Sequence, residues 1–305
     1  MARPPVADIR RAVRLALKED LPLGDVTTAA LFPSPTPARA RIVAQQTLVV
    51  AGLAAAVQTF RAVDASLVLS IHHHDGERAQ EGECLLQIEG DGRSILKAER
   101  VALNFIQHLS GVATLTRRFC DAVRGYPVTI LDTRKTIPGL RALQKWAVLL
   151  GGGTNHRRSL SDGVLVKDNH LALIKHTTMP IRTACRKAKT NAPRGMRIIV
   201  EVESLAEVRQ AVAERADIIL LDNMDPATVR QAIRLIKGQA VVEVSGGITL
   251  RNVRAMAAAG PDRISIGALT HSAPAATLSL VLEPSSRQPR KSSRLKKVHV
   301  GRRER

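Results

Sequence analysis

From Val128 onward the chain repeats one pattern of apolar and polar positions. A short β-branched apolar run ends in polar residues, and a segment of helical periodicity follows. The runs are VTILDTRK (128–135), DGVLVKDN (162–169), RIIVEVES (197–204), ADIILLDN (216–223), AVVEVSGG (240–247) and DRISIGAL (262–269). Unbroken apolar runs of this length suit parallel strands covered on both faces. The intervening segments carry helix start signals. Ser204 with Glu207 three residues on reads as a capping box. Asp225-Pro226 places a cap before a first-turn proline, and Thr249 is expected to cap the segment that stops at Gly260. Alternating strand and helix predicts an α/β barrel or a doubly wound sheet, and six strands are fewer than an eight-fold barrel needs.

The part up to about Gly111 has a different pattern. A helix (Val6 to Leu17) leads into the turn-like Leu21-Pro22-Leu23-Gly24-Asp25. Strand-like pieces then alternate with Gly-rich turns (VAQQTLVVAGL, SLVLSIHHHDG, ECLLQIEGDG), and the helical segment ILKAERVALNFIQHLSG follows. This predicts a separate α+β domain over 1–111, packed on a barrel domain over 112–271. The longest apolar run, Leu48 to Val57, is far short of a membrane span. The N-terminus alternates charged and apolar residues, unlike the unbroken core of a signal peptide.

Composition alters this picture in two places. The apolar share is 45%, that of an ordinary globular chain, but the formal net charge is +19. The charge is uneven: residues 284–305 hold nine Lys and Arg against one Glu, without apolar periodicity. That stretch is expected to be a disordered basic tail making at most weak contact with polyanions. Aromatics are 2% of the chain, which argues against platforms for base stacking. Cys84, Cys120 and Cys185 form neither a zinc pattern nor a disulfide framework, and read as thiols in a reducing cytoplasm.

Candidate chemistry gathers at the strand ends, which a barrel brings to one rim. Asp132, Arg134 and Lys135 end the first strand, and Lys167 and Asp168 the second. Glu201 and Glu203 lie on the third, Asp222 ends the fourth, Glu243 and Ser245 lie on the fifth, and Gly267 falls on the sixth. Between Asp132 and His170 the cations Arg134, Lys135, Arg141, Lys145, His156, Arg157, Arg158, Lys167 and His170 surround a Gly151-Gly152-Gly153 hinge. Cations beside a glycine run suggest a pocket for a ligand with several negative charges. Ser245-Gly246-Gly247 and Ile266-Gly267-Ala268 end neighbouring strands and read as a phosphate cradle, because glycine lets amides approach oxygens closely. Glu201 and Asp222 are suited to hold Mg²⁺, bond sugar hydroxyls or steady a developing cation; the plainer alternative is ion pairing with nearby bases. Lys135 and Lys167 have the chemistry for a Schiff base, but charge recognition beside Arg134, His156 and Arg157 is favoured. His72-His73-His74-Asp75 alternates between faces and is read as an exposed strand end rather than a chelating cluster. Trp146 and Tyr126 are read as packing residues.

Taken in order, these blocks resemble the quinolinate phosphoribosyltransferases. The marks are EDLPLGDVTT (19–28), ERVALNFIQHLSGVAT (99–114), DTRKTIPGLR (132–141), GGGTNHR (151–157), VLVKDNH (164–170), EVES (201–204), LLDN (220–223), EVSGGI (243–248) and SIGALTH (265–271). The resemblance covers nearly all of residues 6–283. The chain departs from the family pattern at Pro22, Leu149, Ser159 and Ser161.

The resemblance implies a fold: an open α+β sandwich domain, rejoined by residues 272–283, before an incomplete α/β barrel of about six strands, of type II phosphoribosyltransferase kind. It implies a reaction: quinolinate and phosphoribosyl pyrophosphate give nicotinate mononucleotide, pyrophosphate and carbon dioxide, with Mg²⁺. It also implies roles. Arg134, His156, Arg157 and Lys167 match the dicarboxylate pocket, and Arg100 matches an arginine reaching that pocket from the partner subunit of a homodimer. Lys135 matches the lysine near the reacting centre, Glu201 and Asp222 the acids around ribose and metal, and Ser245, Gly246, Gly247 and Gly267 the phosphate loops. The competing readings are a related barrel acting on another aromatic acid such as nicotinate, and a polyanion-binding protein acting through its tail.

Overall fold

The computed structural model describes residues 5–174 and 179–284. The first lobe contains α1 (Val6–Asp20), α2 (Val26–Leu31), β1 (Pro37–Ala44), β2 (Leu48–Val49), α3 (Leu53–Val63), β3 (Val68–Ile71), β4 (Arg78–Ala79) and β5 (Cys84–Asp91), and leads into α4 (Gly92–Ala122). β1 shows why these residues make a sheet: Ala38, Ala40, Ile42 and Ala44 are buried, while Arg39 and Arg41 alternate outward. Arg39 pairs with Glu89 across the sheet at 2.9 Å and Arg41 with Glu283 at 3.2 Å. The inner face packs on α3 and α4 through Ala56, Phe60, Ile95, Ala98 and Ile106.

Helix α4 is much longer than the predicted helical segment. Its 31 residues span about 46 Å at 1.5 Å per residue. Ile95, Ala98, Ala102 and Ile106 belong to the core of the first lobe. Val101, Phe105, Leu109, Val112 and Phe119 belong to the core of the second. Gly111 therefore lies inside a helix. A Cβ there would stand 2.1 Å from the carbonyl oxygen of Pro274, so glycine admits the returning backbone.

The second lobe continues with β6 (Thr129–Leu131), α5 (Arg141–Leu150), β7 (Val164–Val166), α6 (Asp168–Ala172), α7 (Pro180–Asn191), β8 (Ile198–Val202), α8 (Leu205–Ala213) and β9 (Ile218–Asp222). It ends with α9 (Pro226–Ile236), β10 (Val241–Ser245), α10 (Val253–Ala257), β11 (Arg263–Ser265) and α11 (Ala268–His271). All six predicted runs form strands of one parallel sheet, in the order β6-β11-β10-β9-β8-β7. Among the described residues β6 and β7 do not pair, so the barrel is incomplete; β6 gains only a bridge from Leu131 to Thr154. Residues alternate along each strand: Ile218 and Leu220 join Ile199 on the inner face, while Ile219 and Leu221 face the helix-covered core.

The predicted caps are mostly present. Asp225 accepts from the amides of Ala227 and Thr228 at 2.8 and 3.1 Å. Ser204 accepts from the Glu207 amide at 3.3 Å, but Glu207 returns its bond to the amide of Glu203 rather than Ser204. Thr249 does not cap by its side chain. Its amide donates to Asn252 Oδ1 at 2.8 Å, and the helix begins only at Val253. After α11 the chain returns to the first lobe as β12 (Leu278–Pro284), antiparallel to β1. Residues 285–305, nearly all of the basic tail, lie outside the described residues.

Candidate active site

The C-terminal ends of β6 to β11 surround a cavity of about 530 Å³. Arg134, Lys135, His156, Arg157, Lys167, Glu201, Asp222, Ser245, Gly246, Gly247 and Gly267 all line it. Of the predicted site residues only Arg100 does not: it is exposed on α4. Four cations and two of the predicted acids thus share one concave surface, as the strand-end argument expects.

One side of the cavity is cationic. The Arg134 Nε is buried with no partner among the described residues. Arg157 donates from Nη1 to the Gly163 carbonyl at 3.1 Å. Burial, then the neighbouring Arg134, lowers its pKa. Two close guanidiniums with unspent donors make a site that gains from an anion. Lys167 is ion-paired with Glu201 Oε2, so the plainer alternative for Glu201, pairing with a nearby base, is present in the structure. Lys135 is held through its backbone, by Thr133 Oγ1 on its amide at 3.0 Å and Thr270 Oγ1 on its carbonyl at 2.7 Å. Its side chain lines the cavity.

The other side carries the acids and the glycine turns. Glu201 and Asp222 stand on adjacent strands, and Asp222 is next to Ser245 in register. Gly246 and Gly247 have φ of +90° and +59°, which favour glycine. A Cβ on Gly246 would lie 2.2 Å from Asn223 Oδ1, so that turn is packed hard against the end of β9; one on Gly247 would meet nothing. Gly267 opens α11, where a Cβ would press on His271 and Lys135.

Part of the cationic run between Asp132 and His170 is not in this cavity. Lys145 is buried under it, ion-paired with Asp132. Arg141 and Arg158 line a separate cleft with Asp8 and Arg11. The His170 ring accepts from the Lys167 amide at 3.0 Å and caps α6. The glycine run is no hinge: Cβ atoms on Gly151 and Gly153 would lie under 3 Å from α4 atoms of Ala113 and Thr116. These glycines let the loop before Thr154 lie close against α4.

Several lining residues were not assigned in advance: Thr133, Glu243, Ser265 and His271. Glu243 was visible as an acid inside an apolar strand, but its facing was not. Outside the cavity, His73 sits 3.7 Å from Glu77 and 3.3 Å from Glu83. Asp75 is not an exposed strand end but caps α3 through the amides of Leu53 and Ala54. Trp146 is buried, and Arg254 lies over the Tyr126 ring at 5.5 Å.

Comparison with known proteins agrees with this architecture. Residues 25–110 match the model of the quinolinate phosphoribosyl transferase N-terminal domain, and residues 112–281 that of the C-terminal domain. A probable carboxylating nicotinate-nucleotide pyrophosphorylase of Bacillus subtilis is 40% identical, over 86% of this chain and 89% of that protein. The decarboxylating quinolinate phosphoribosyltransferase 1b of Nicotiana tabacum is 38% identical, over 92% of this chain and 83% of that one. The solved structure of NadC from Streptococcus pyogenes superposes with a TM-score of 0.87 at 38% identity, covering 93% of this chain and all of that one (100%). That of the Francisella tularensis nicotinate-nucleotide pyrophosphorylase gives 0.85 at 36%, over 92% and 98%. Both domain models match in order, and the relatives align over most of their length; the chain belongs to the quinolinate phosphoribosyltransferase family.

Proposed function

We infer that this chain transfers the phosphoribosyl group of phosphoribosyl pyrophosphate to quinolinate with decarboxylation. The products are nicotinate mononucleotide, pyrophosphate and carbon dioxide. The observation that carries the reading is the division of one cavity into a cationic side (Arg134, Arg157, Lys167) and a side of acids and glycine turns. The first suits a pyridine with two carboxylates; the second suits a sugar bearing phosphates.

In this reading the buried Nε of Arg134 finds its acceptor in a quinolinate carboxylate, and Arg157 and Lys167 complete the grip on the dianion. Lys167 then exchanges its Glu201 partner for substrate, which frees a carboxylate beside the ribose. The bond from the anomeric carbon to pyrophosphate breaks as the ring nitrogen forms its bond there. Positive charge builds on the sugar, and Glu201 and Asp222 stabilise it. The resulting pyridinium accepts the electron pair as the adjacent carboxylate leaves as carbon dioxide, and the ring carbon takes up one proton. Held side by side in one cavity, the two substrates lose little further freedom in reaching the reactive geometry.

Mg²⁺ belongs to this proposal. Among the described residues no group of three or more His, Cys, Asp or Glu is placed to hold a metal alone. Mg²⁺ commonly takes only one or two carboxylates and completes its shell with substrate phosphates and water, so Glu201 and Asp222 fit it. It would neutralise charge on the departing pyrophosphate. The homodimer is likewise a proposal: it is supported by Arg100, which is exposed on α4 and absent from its own cavity. Placement in the cytoplasm is supported by the three free thiols. No described helix is long and apolar enough to cross a membrane.

The test is an assay of the purified chain with quinolinate, phosphoribosyl pyrophosphate and Mg²⁺, following nicotinate mononucleotide. Product formation with quinolinate far outpacing nicotinate is expected. Equal turnover of the two acids would count against the two-carboxylate pocket.

A further inference from the structure

Glu243 is a fully buried carboxylate, 0% exposed, in the middle of β10. Its neighbours on that strand are valines, so an apolar side chain there would avoid the cost of burying a charge. Its Oε1 accepts a hydrogen bond from Ser265 Oγ on β11 and lies 3.3 Å from His156 Nε2. Its Oε2 is buried without a partner among the described residues. A carboxylate kept at that cost, against a ring that lines the cavity, calls for a use.

The His156 ring supplies it. Its Nδ1 accepts from the backbone amide of Arg157 at 2.7 Å. A ring nitrogen that accepts carries no hydrogen, so the ring hydrogen is on Nε2, the atom that faces Glu243. Both ring nitrogens are then engaged by the protein. The backbone around the ring is also fixed: the His156 amide donates to Asp132 Oδ1 at 2.8 Å, and its carbonyl accepts from Lys145 Nζ at 3.1 Å.

We propose that Glu243 is a positioning residue of this enzyme, acting through His156 to fix the backbone and side chain of Arg157 at the dicarboxylate side of the cavity. Ser265 holds Glu243 by a hydrogen bond, the Glu243 carboxylate faces His156 Nε2 at 3.3 Å, and His156 Nδ1 accepts from the Arg157 amide. His156 thus acts as a spacer that orders a neighbouring cation. The proposal rests on the quinolinate reading of the cavity.

Glu243→Leu removes the polar group that faces His156 Nε2 and is expected to raise KM for quinolinate about tenfold. KM for phosphoribosyl pyrophosphate should stay within about twofold, because the phosphate turns are not part of the relay. Glu243→Gln keeps an oxygen at the same place and should recover quinolinate KM to within about threefold of the parent. In a double-mutant cycle, adding Glu243→Leu to His156→Asn should cause little further loss. Equal rises in both KM values, no rise in either, or additive effects in the cycle would each overturn the proposal. A measurement independent of folding variants is the long-range ¹⁵N–¹H spectrum of the parent chain labelled at histidine, with His156→Asn for assignment. The Nε2–H pattern is expected for His156, and the Nδ1–H pattern would refute the relay. If the parent chain makes no nicotinate mononucleotide, the substrate reading has failed instead, and the tautomer measurement still stands alone.

Discussion

Lys145 and Asp132 form an ion pair sealed beneath the cavity: Nζ lies 2.5 Å from Oδ1, and the two side chains are 1% and 0% exposed. Burial dominates both groups, raising the pKa of Asp132 and lowering that of Lys145. The pair is anchored by the backbone of His156, whose amide donates to Asp132 Oδ1 and whose carbonyl accepts from Lys145 Nζ. It is therefore a clamp on the loop that presents His156 and Arg157. Lys145→Met strands a buried carboxylate and should cost about 3–5 kcal/mol of stability in urea unfolding. Lys145→Met combined with Asp132→Leu should cost less than Lys145→Met alone. A loss under about 1 kcal/mol for the single change would show that the pair does not carry the loop.

Asp75 makes the stability depend on pH. Its carboxylate caps α3 through the amides of Leu53 and Ala54 at 2.9 and 3.0 Å, yet burial raises its pKa from 3.8 to about 6. The folded chain therefore holds this proton more tightly than the unfolded chain. The stabilisation is fully present below the unfolded value of 3.8 and is lost as pH rises through about 6. The shift corresponds to about 3 kcal/mol, an order-of-magnitude figure. Asp75→Asn should flatten unfolding free energy between those pH values. An unchanged slope would place the titration elsewhere.

The two glycines of the turn after β10 should respond differently. Gly246→Ala drives a Cβ into Asn223 at a positive φ and is expected to abolish activity with a large loss of stability. Gly247→Ala meets no atom, so it should cost only the left-handed backbone term, about 1–2 kcal/mol. Thermal unfolding of the two variants decides this. Equal losses would mean that contact with Asn223 is not what constrains the turn.

Arg100 tests the proposed shared site. Arg100→Ala should abolish turnover in the homodimer, as should Glu201→Ala. Mixed dimers would carry one unaltered cavity with an intact Arg100 opposite it, so heterodimers isolated by two different tags should recover up to about half of the parent dimer's activity. Purified heterodimers with no recovery would remove Arg100 from the site.

Much of this arrangement was legible from local signals. Strands β6 to β11 are continuous β-branched runs whose polar residues fall at one end, so chain order alone placed Arg134, Lys167, Glu201 and Asp222 on one rim. The Asp225 and Ser204 caps depend on residues three apart and were equally readable. What sequence could not supply was facing. Lys145 looked like one more pocket cation, but its position on α5 turns it into the core beside Leu143 and Ala147. Glu243 is recognisable as a site residue only when β11 and the loop carrying His156 are brought against it. The helical segment predicted from sequence stops at Gly111 because a glycine there looks like a helix end. The reason for that glycine is a distant backbone, that of Pro274.

The pairing of β12 with β1 has a consequence for how the chain is made. β1 emerges from the ribosome early and finds β5 soon afterwards, but its other edge waits for residues 278–284. Until nearly the whole chain has been synthesised, the first sheet carries an unpaired strand edge, the kind of surface that invites pairing between chains. Maturation of the first lobe is thereby tied to completion of the second, and a product truncated within the barrel would be released with an adhesive edge exposed.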